Sequence, residues 1–264
     1  MQVVGFMTTD GVRLCYRENH LTRGDQVLLV FIPGWTMPAA VWQRQLAHFA
    51  GRVPCVAFDP RGQGASEAPE FGYTLERRVQ DLHELLSRFP QQRIILIGWS
   101  LAVLEVLAYV EHYGTEHIAG LVLVDNSVGE GNDEPRSGEN PFVAELRTSR
   151  EAALRRFIDV MFATDPGEAL KAVILASALK TRLDDSLSLL SYGKPRSFWK
   201  AAVYRVARPL LYLVTPRWQA QATLLSSHHP QATSAVFEQA GHALFWDEAE
   251  RFNAALDDFI KQVA

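Results

Sequence analysis

The sequence has little of what marks several large classes of protein. It contains only two cysteines, Cys15 and Cys55, which are too few for a disulfide framework and have no metal-binding spacing. Its net charge of −4 provides no basic footprint for nucleic acid and no polybasic membrane patch. No apolar run reaches the about 18 residues of a membrane span, and the first residues lack the segments of a signal peptide. We therefore expect a soluble cytoplasmic protein with no metal site and no nucleic-acid or membrane partner.

What the sequence does contain is an ordinary globular composition, 48% hydrophobic and 21% charged, over 264 residues. This length is near the upper size of a single domain and can hold one core with an insertion. Short apolar runs such as VPCVAFD, RIILIG and PLLYLVT alternate with helix-length amphipathic segments, after a hairpin that turns at Asp10 and Gly11. Apolar runs without alternation are typical of parallel strands that helices cover on both faces. We predict an α/β fold with a mainly parallel, eight-stranded sheet.

The segment from residue 128 to 205 interrupts the alternation of strands and helices. It begins with the polar, glycine- and proline-rich stretch GEGNDEPRSGENP. It continues with helical patterns such as PGEALKAVILASALKT. We predict that residues 128–205 form a helical cap over the sheet, and that residues 1–127 and 206–264 form the core domain.

One strand of the predicted sheet ends in an unusual turn, in the stretch RIILIGWSLAVLE at residues 93–105. A sharp turn from strand to helix crowds the two elements, and the small residues Gly98 and Ala102 flank Ser100 by two positions on either side. Such a turn lifts a serine hydroxyl above the sheet edge, where helix N–H groups favour negative charge. The pattern is a nucleophile elbow, G-x-S-x-G, with alanine in place of the second glycine. A serine that only caps the helix is the alternative.

A serine hydroxyl becomes a nucleophile when a base takes its proton, and the best placed of the eight histidines is His242. It follows the last predicted strand at a glycine turn, from which its ring can reach over the sheet edge. The base needs an orienting carboxylate, yet residues 209–237 contain no Asp or Glu. Asp125, directly after an apolar strand, is the candidate, and an aspartate that caps its own loop is the alternative. We expect Asp247 and Glu248 to favour the positive end of the closing helix.

Five motifs occur in the order and spacing of one large family: IPGWTM, FDPRGQGAS, GWSLA, LVLVDNS and AGHALFWDEAERFNAALDDF. With Ser100, Asp125 and His242 in this order, the sequence resembles the α/β-hydrolase family over essentially its whole length. The resemblance implies an oxyanion hole formed by the backbone N–H groups of Trp35 and Leu101. Within the family, the segment GWSLAVLEVLAYVEHYGT is most similar to non-haem haloperoxidase-like serine esterases.

The resemblance and the three candidate residues predict a serine hydrolase that acts on carboxylic esters through an acyl-enzyme and needs no cofactor. The haloperoxidase-like esterases imply perhydrolysis of an acid as a side activity of the same triad. We expect a substrate pocket between the sheet edge and the cap, suited to a small apolar or aromatic ester. Six side chains are predicted to line it: Trp35, Trp99, Phe142, Met161, Phe162 and Phe245.

Two other functions remain open on the same sequence. Cofactor-independent 2,4-dioxygenases of quinolones are similar in their Pro-Gly-Trp turn and in an aspartate after the same strand. Here, Thr36 and Met37 stand where those enzymes usually have a substrate-contacting histidine. Oxygen uptake without a metal would identify such an enzyme. A non-catalytic, ligand-binding hydrolase fold would fail to react with a serine-directed phosphonate.

Overall fold

The computed structural model of the chain describes residues 2–19, 27–131, 140–190 and 192–263, and their centre is one eight-stranded sheet. Its strands are β1 (Gln2–Met7), β2 (Arg13–Glu18), β3 (Leu28–Ile32), β4 (Cys55–Asp59), β5 (Ile94–Trp99), β6 (Ile118–Val124), β7 (Leu210–Val214) and β8 (Ala232–Val236). They lie in the order β1-β2-β4-β3-β5-β6-β7-β8. Strand β2 pairs antiparallel with β1 and β4, and the other neighbours are parallel. The prediction of a mainly parallel α/β sheet is confirmed.

Helices connect the parallel strands and cover both faces of the sheet. They are α1 (Gln43–Phe49), α2 (Leu75–Leu86), α3 (Leu101–Tyr113), α4 (Pro141–Met161), α5 (Glu168–Lys180), α6 (Leu183–Ser188), α7 (Arg196–Tyr204), α8 (Gln219–His228), α9 (Leu244–Asp247) and α10 (Ala249–Val263). Two short 3-10 helices, Ala39–Trp42 and Pro216–Trp218, precede α1 and α8. Among the described residues, no helix combines the length and apolar character that crossing a membrane requires.

The central strands are buried on both faces, and every residue of β3 to β7 is buried. Side chains alternate between two hydrophobic clusters because successive residues of a strand point to opposite faces. In β3, Leu29 and Phe31 belong to the cluster that also contains side chains of α1, α9 and α10. Leu28 and Val30 belong to the cluster on the other face, with α2, α3 and α8. An unbroken apolar run is what such a doubly covered strand requires.

The helices of the segment 128–205 divide between the two clusters. Helices α4 and α5 bury side chains such as Leu154 and Ile174 in the same cluster as α1 and α10. Helix α7 instead packs against α3 and buries Trp199 and Val203 in the opposite cluster. Most of the polar stretch that begins this segment, residues 132–139, lies outside the described residues.

Residues at the ends of α2 and α3 show how local sequence sets the bounds of a helix. Thr74 caps α2 by accepting a hydrogen bond from the Arg77 N–H, and Gly114, with φ 75°, ends α3. The last strand differs, because the pattern SAVFEQA predicts a strand over residues 234–240, whereas β8 ends at Val236. The next residue, Phe237, is fully buried in the core, and the chain then turns towards the carboxyl edge of the sheet.

Candidate active site

The candidate site lies at the carboxyl edge of the sheet, where the loops after β3, β5, β6 and β7 meet. Parallel pairing sets these strand ends level with one another. Gly98 of β5 lies beside Ile32 of β3 and Leu123 of β6, and Val124 lies beside Leu213 of β7. The residues that follow the four strands are therefore brought together, at the edge where doubly wound sheets bind their ligands.

Ser100 occupies a strained turn between β5 and α3. Its φ of 55° and ψ of −122° are values that non-glycine residues rarely adopt, at a cost of about 1–3 kcal/mol. The Ser100 N–H donates to the Val124 carbonyl at 2.8 Å, which ties the turn to the neighbouring strand. A Cβ atom at Gly98 would lie 2.6 Å from the Ala102 carbonyl oxygen, so this position requires glycine. The Ala102 side chain itself is accommodated in the core.

Three side chains singled out in the sequence form one hydrogen-bonded chain. His242 Nε2 lies 2.9 Å from Ser100 Oγ, and His242 Nδ1 lies 2.7 Å from Asp125 Oδ2. Asp125 is 2% exposed, whereas the His242 side chain is 29% exposed. The imidazole therefore links a buried carboxylate to a partly exposed serine. With a proton on Nδ1 towards the carboxylate, Nε2 is the atom that accepts the serine proton.

The carboxylate of Asp125 is held by the residue that follows β7. Its Oδ1 atom accepts hydrogen bonds from the N–H and from the Oγ1 of Thr215, at 2.7 and 2.8 Å. Oδ2 is left for His242. The backbone of Asp125 has φ 48°, and its N–H donates to the Leu213 carbonyl at 2.9 Å. Thr215 was not predicted, although its position as a polar residue directly after an apolar strand is the same signal that identified Asp125.

The loop that bears His242 packs on the end of α4. The Ala243 N–H donates to the Met161 carbonyl at 2.9 Å, and a Cβ atom at Gly241 would lie 2.8 Å from that same oxygen. The His242 carbonyl accepts a hydrogen bond from the Trp99 indole Nε1 at 2.9 Å. The position of His242 is therefore set both by the sheet and by α4.

Asp247 does not act as the sequence predicts. It is the last residue of α9, and its Oδ2 accepts from the N–H groups of Gly241 and Ala163, both at 2.9 Å. Its Oδ1 accepts from the N–H and Oγ1 of Thr164, at 2.9 and 2.6 Å. The expectation that Asp247 serves the positive end of the closing helix is wrong, because its acceptors are used by the His242 loop and the residues after α4.

Two backbone N–H groups beside Ser100 have no hydrogen-bond partner in the described part of the chain, those of Trp35 and Leu101. Leu101 begins α3, where N–H groups lack partners within the helix. Trp35 lies in a turn that the Met37 N–H closes by donating to the Gly34 carbonyl at 3.1 Å. A Cβ atom at Gly34 would lie 2.9 Å from Ser100 Cβ, so this turn directly contacts the elbow. Both donors implied by the family resemblance are thus left available beside the serine.

Two of the predicted pocket residues, Trp35 and Phe142, belong to an aromatic cluster with Phe157. The ring centroids of Trp35 lie 5.8 Å from Phe142 and 5.9 Å from Phe157, and the two phenylalanines are 5.2 Å apart. Trp35 Nε1 also donates to the Ser186 carbonyl of α6 at 2.6 Å. Phe157 was not predicted; α4 is kinked at Ser149, between the two phenylalanines, so helical spacing alone does not place both rings against Trp35.

The other four predicted pocket residues lie in the core, as does Trp35, which is 5% exposed. Trp99 and Phe245 are 1% and 0% exposed, and they pack against each other and against Trp42 beneath the site. Met161 and Phe162 are 2% and 8% exposed, behind the loop that bears the histidine. Contrary to expectation, these side chains offer almost no surface to a substrate, because the alternation of β5 and the packing of α4 and α9 turn them inward.

The two cysteines and the possible metal ligands are further candidates for reactive groups. Cys15 and Cys55 are both buried, and burial raises the pKa of both thiols, so they stay neutral. Within the described ranges, no group of three or more His, Cys, Asp or Glu side chains is arranged to bind a metal ion.

Known proteins similar to this chain include esterases and haloperoxidases. The sequence profile described as "Alpha/beta hydrolase family" matches residues 29–255. The chain is 26% identical to a pimeloyl-(acyl-carrier protein) methyl ester esterase of Proteus mirabilis over 242 residues, 86% of this chain and 90% of that protein. It is 31% identical to a non-heme chloroperoxidase of Kitasatospora aureofaciens over 122 residues, 44% of this chain and 42% of that protein. The crystal structure of a bromoperoxidase from Bacillus anthracis has a TM-score of 0.81 at 22% identity, covering 98% of this chain and 100% of that chain.

The family profile spans most of the chain, from β3 into α10. The structural match shows that the sheet and its flanking helices have the same architecture as a solved member of this fold. The predictions of the fold and of a hydrolase enzyme are confirmed. The chain belongs to the α/β-hydrolase family.

Proposed function

We propose that the chain hydrolyses carboxylic esters through a covalent acyl-enzyme on Ser100. The observation that carries this proposal is the continuous hydrogen-bonded chain from Ser100 Oγ through His242 to Asp125, with distances of 2.9 and 2.7 Å. Such a chain activates a hydroxyl that is otherwise a weak nucleophile. The similarity to a methyl ester esterase over most of the chain supports the same class of reaction.

The first half of the reaction transfers the acyl group to Ser100. His242 Nε2 takes the hydroxyl proton as Ser100 Oγ bonds to the carbonyl carbon, and the carbonyl oxygen becomes an oxyanion. The tetrahedral intermediate then collapses, the bond to the alcohol oxygen breaks, and His242 gives its proton to the leaving group. Asp125 keeps the second imidazole proton on Nδ1 and stabilises the cation that forms in between.

The second half of the reaction releases the acid. His242 takes a proton from water, the water oxygen bonds to the acyl carbon, and the bond to Ser100 Oγ breaks as that oxygen recovers a proton. Hydrogen peroxide in place of water yields a peracid by the same steps. We include this perhydrolysis as a side activity, which the similarity to a chloroperoxidase supports.

Two backbone donors stabilise the charge that develops on the carbonyl oxygen. The N–H groups of Trp35 and Leu101 are free beside Ser100, and we assign them to the oxyanion hole. In a dry site, one such donor contributes about 3 kcal/mol to the transition state. The strained backbone of Ser100 is consistent with a site whose geometry is fixed before the substrate arrives.

We propose that α4, α5 and α6, within the segment 128–205, form the cap that covers the site. Trp35 joins the sheet edge to α6, and its ring contacts Phe142 and Phe157 of α4. Both phenylalanines are half-buried, so they present apolar surface next to the turn that holds an oxyanion donor. This surface favours an apolar or aromatic group in the ester.

The test is hydrolysis of p-nitrophenyl esters of increasing acyl length, run in an oxygen-electrode cell. We expect release of p-nitrophenol without oxygen uptake, lost in Ser100→Ala and retained in Ser87→Ala, which changes an exposed serine at the end of α2. Oxygen uptake that survives Ser100→Ala would contradict the proposal and indicate oxygenolysis. No turnover together with no phosphonate labelling would indicate a ligand-binding protein.

A further inference from the structure

Each donor of the proposed oxyanion hole is one half of a planar peptide group. The N–H of Trp35 shares its peptide with the carbonyl of Gly34, and the N–H of Leu101 shares its peptide with the carbonyl of Ser100. In a planar trans peptide, the C=O and N–H bonds point in opposite directions. A group that holds the carbonyl therefore also sets the direction of the N–H.

The Gly34 carbonyl is held by the side chain of Gln63, which is 1% exposed. Gln63 Nε2 donates to the Gly34 carbonyl at 3.0 Å and to the Met37 carbonyl at 2.6 Å, at the two ends of the turn that contains Trp35. Both partners are acceptors only, so the carboxamide nitrogen must face them. The buried carboxamide of Gln63 thus links the first and last residues of this turn.

The Ser100 carbonyl accepts a hydrogen bond from the Val103 N–H of α3 at 3.0 Å, and it is also held by the side chain of Asn126. Its Nδ2 donates to that carbonyl at 2.8 Å, and its Oδ1 accepts from the Ser127 N–H at 2.9 Å, which defines the orientation of the amide. The Tyr212 hydroxyl anchors the Asn126 backbone by donating to its carbonyl at 2.6 Å. Burial, and then the negative charge of Asp125, raise the pKa of Tyr212, so the hydroxyl remains a donor.

We propose that Gln63 and Asn126 are positioning residues of the oxyanion hole, each of which orients and polarises one of its two donor peptides. A donor at the carbonyl draws electron density towards oxygen and makes the N–H of the same peptide a stronger donor. Both carboxamides contact these peptides in the protein itself, without a substrate. The two N–H groups are therefore oriented before the substrate binds. The inference rests on the proposed acyl-enzyme mechanism and adds two residues that need not touch the substrate.

The test compares two isosteric variants, Gln63→Glu and Asn126→Asp, with the wild type and with a matched control. Each carboxylate variant keeps the shape of the side chain and replaces the donating nitrogen by an oxygen. The control, Asn19→Asp, removes a buried carboxamide donor in the same way. Asn19 Nδ2 donates to the Val53 carbonyl at 3.0 Å, before the start of β4 and at the edge of the sheet opposite to the candidate site, so it serves neither donor peptide.

Two kinetic quantities are measured for every variant on the pH plateau, where a charge introduced near the histidine no longer affects its protonation. The first is the pair kcat and KM for a p-nitrophenyl ester, after titration of active sites. The second is the inhibition constant of a trifluoromethyl ketone, whose adduct with Ser100 bears an oxyanion. Gln63→Met and Asn126→Ala, which remove the donors without adding charge, replace any carboxylate variant that does not fold.

We expect each variant of Gln63 or Asn126 to lower kcat roughly 10- to 100-fold, which is less than the roughly 10²–10³-fold lost when an oxyanion donor is removed outright. KM should change little, and the inhibitor should bind more weakly by the factor that kcat/KM loses. Asn19→Asp should change neither quantity. A fall in kcat without a loss of inhibitor affinity, or a fall only in the titrated active fraction, would overturn the proposal.

Different results would refute the proposed function and the positioning role of Gln63 and Asn126. A wild type that releases no p-nitrophenol and is not labelled at Ser100 would refute the proposed function, and the inference with it. An active, labelled wild type whose Gln63 and Asn126 variants keep normal kcat and inhibitor affinity would refute the positioning role alone.

Discussion

Asparagine in place of Asp125 keeps the size of the side chain and is expected to reverse the proton pattern of the proposed triad. Oδ1 of Asp125 accepts two hydrogen bonds from Thr215, at 2.7 and 2.8 Å. A carboxamide has a single oxygen, which these two donors retain, so its NH2 group faces His242 Nδ1. The ring must then accept at Nδ1 and hold its proton on Nε2, where it cannot take the proton of Ser100.

The size of the effect follows from the loss of the reactive tautomer. The same exchange in the well-studied serine protease triad lowers turnover about 10⁴-fold, which corresponds to about 5.4 kcal/mol in the transition state. We expect a loss of this order for Asp125→Asn. Thr215→Val is the matched control, because it removes one donor to Oδ1 and leaves the carboxylate in place. The control should cost about 1 kcal/mol, or about fivefold in kcat/KM.

The assay is steady-state hydrolysis of a p-nitrophenyl ester at a known concentration of active sites. Thermal unfolding of the same samples establishes that the Asp125→Asn protein is folded. A folded variant that retains turnover within tenfold of the wild type would refute the assignment of Asp125 as the orienting acid. A loss in Thr215→Val as large as that in Asp125→Asn would show that the effect comes from the loop and not from the tautomer.

Two further predictions concern carboxylates outside the triad. Asp247→Asn should lower the free energy of unfolding by about 1–3 kcal/mol and reduce turnover. The reason is that a carboxamide cannot accept all four hydrogen bonds that join the His242 loop to the end of α4. The control, Glu248→Gln, should change stability and turnover little. Asp247→Asn and Glu248→Gln that change thermal unfolding and turnover to the same extent would contradict this prediction. Burial raises the pKa of Glu84, but hydrogen bonds from the hairpin turn and an α2 arginine outweigh it and leave the pKa lowered. Because the pKa of Glu84 is lower in the folded state, its charged form stabilises the fold above the unfolded pKa of about 4.3, and this stabilisation is lost as the pH falls through the folded-state pKa. Denaturant titrations should therefore show Glu84→Gln less stable than the wild type at neutral pH and equally stable in acid. A constant difference across pH would refute this.

Much of the fold could be predicted because the parallel strands leave a direct signal. Each is buried on both faces, which requires an apolar run that ends abruptly in polar or turn residues. Ser100 and Asp125 were singled out for this reason, as the residues after β5 and β6. Parallel pairing of β5 and β6 then places Ser100 and Asp125 side by side. No local sequence pattern indicates this pairing, because it depends on the order of the strands in the sheet.

What could not be predicted are contacts that depend on which way a side chain turns. Trp99 is next to the serine in sequence, yet the alternation of β5 directs its ring into the core. Gln63 holds the Gly34 carbonyl across 29 residues of chain, and nothing near either residue indicates the contact. Helix α7 lies within the segment predicted to form one cap, and only its packing against α3 shows that it lies on the other face.

In the proposed mechanism, ester hydrolysis passes through an acyl group bonded to Ser100. The most direct measurement is rapid acid quenching of the enzyme during turnover of p-nitrophenyl butyrate, followed by mass spectrometry of its peptides. We expect a butyryl group on the peptide that contains Ser100, and no such adduct with Ser100→Ala. Product formation without an adduct in the wild type, or undiminished turnover by Ser100→Ala, would contradict it.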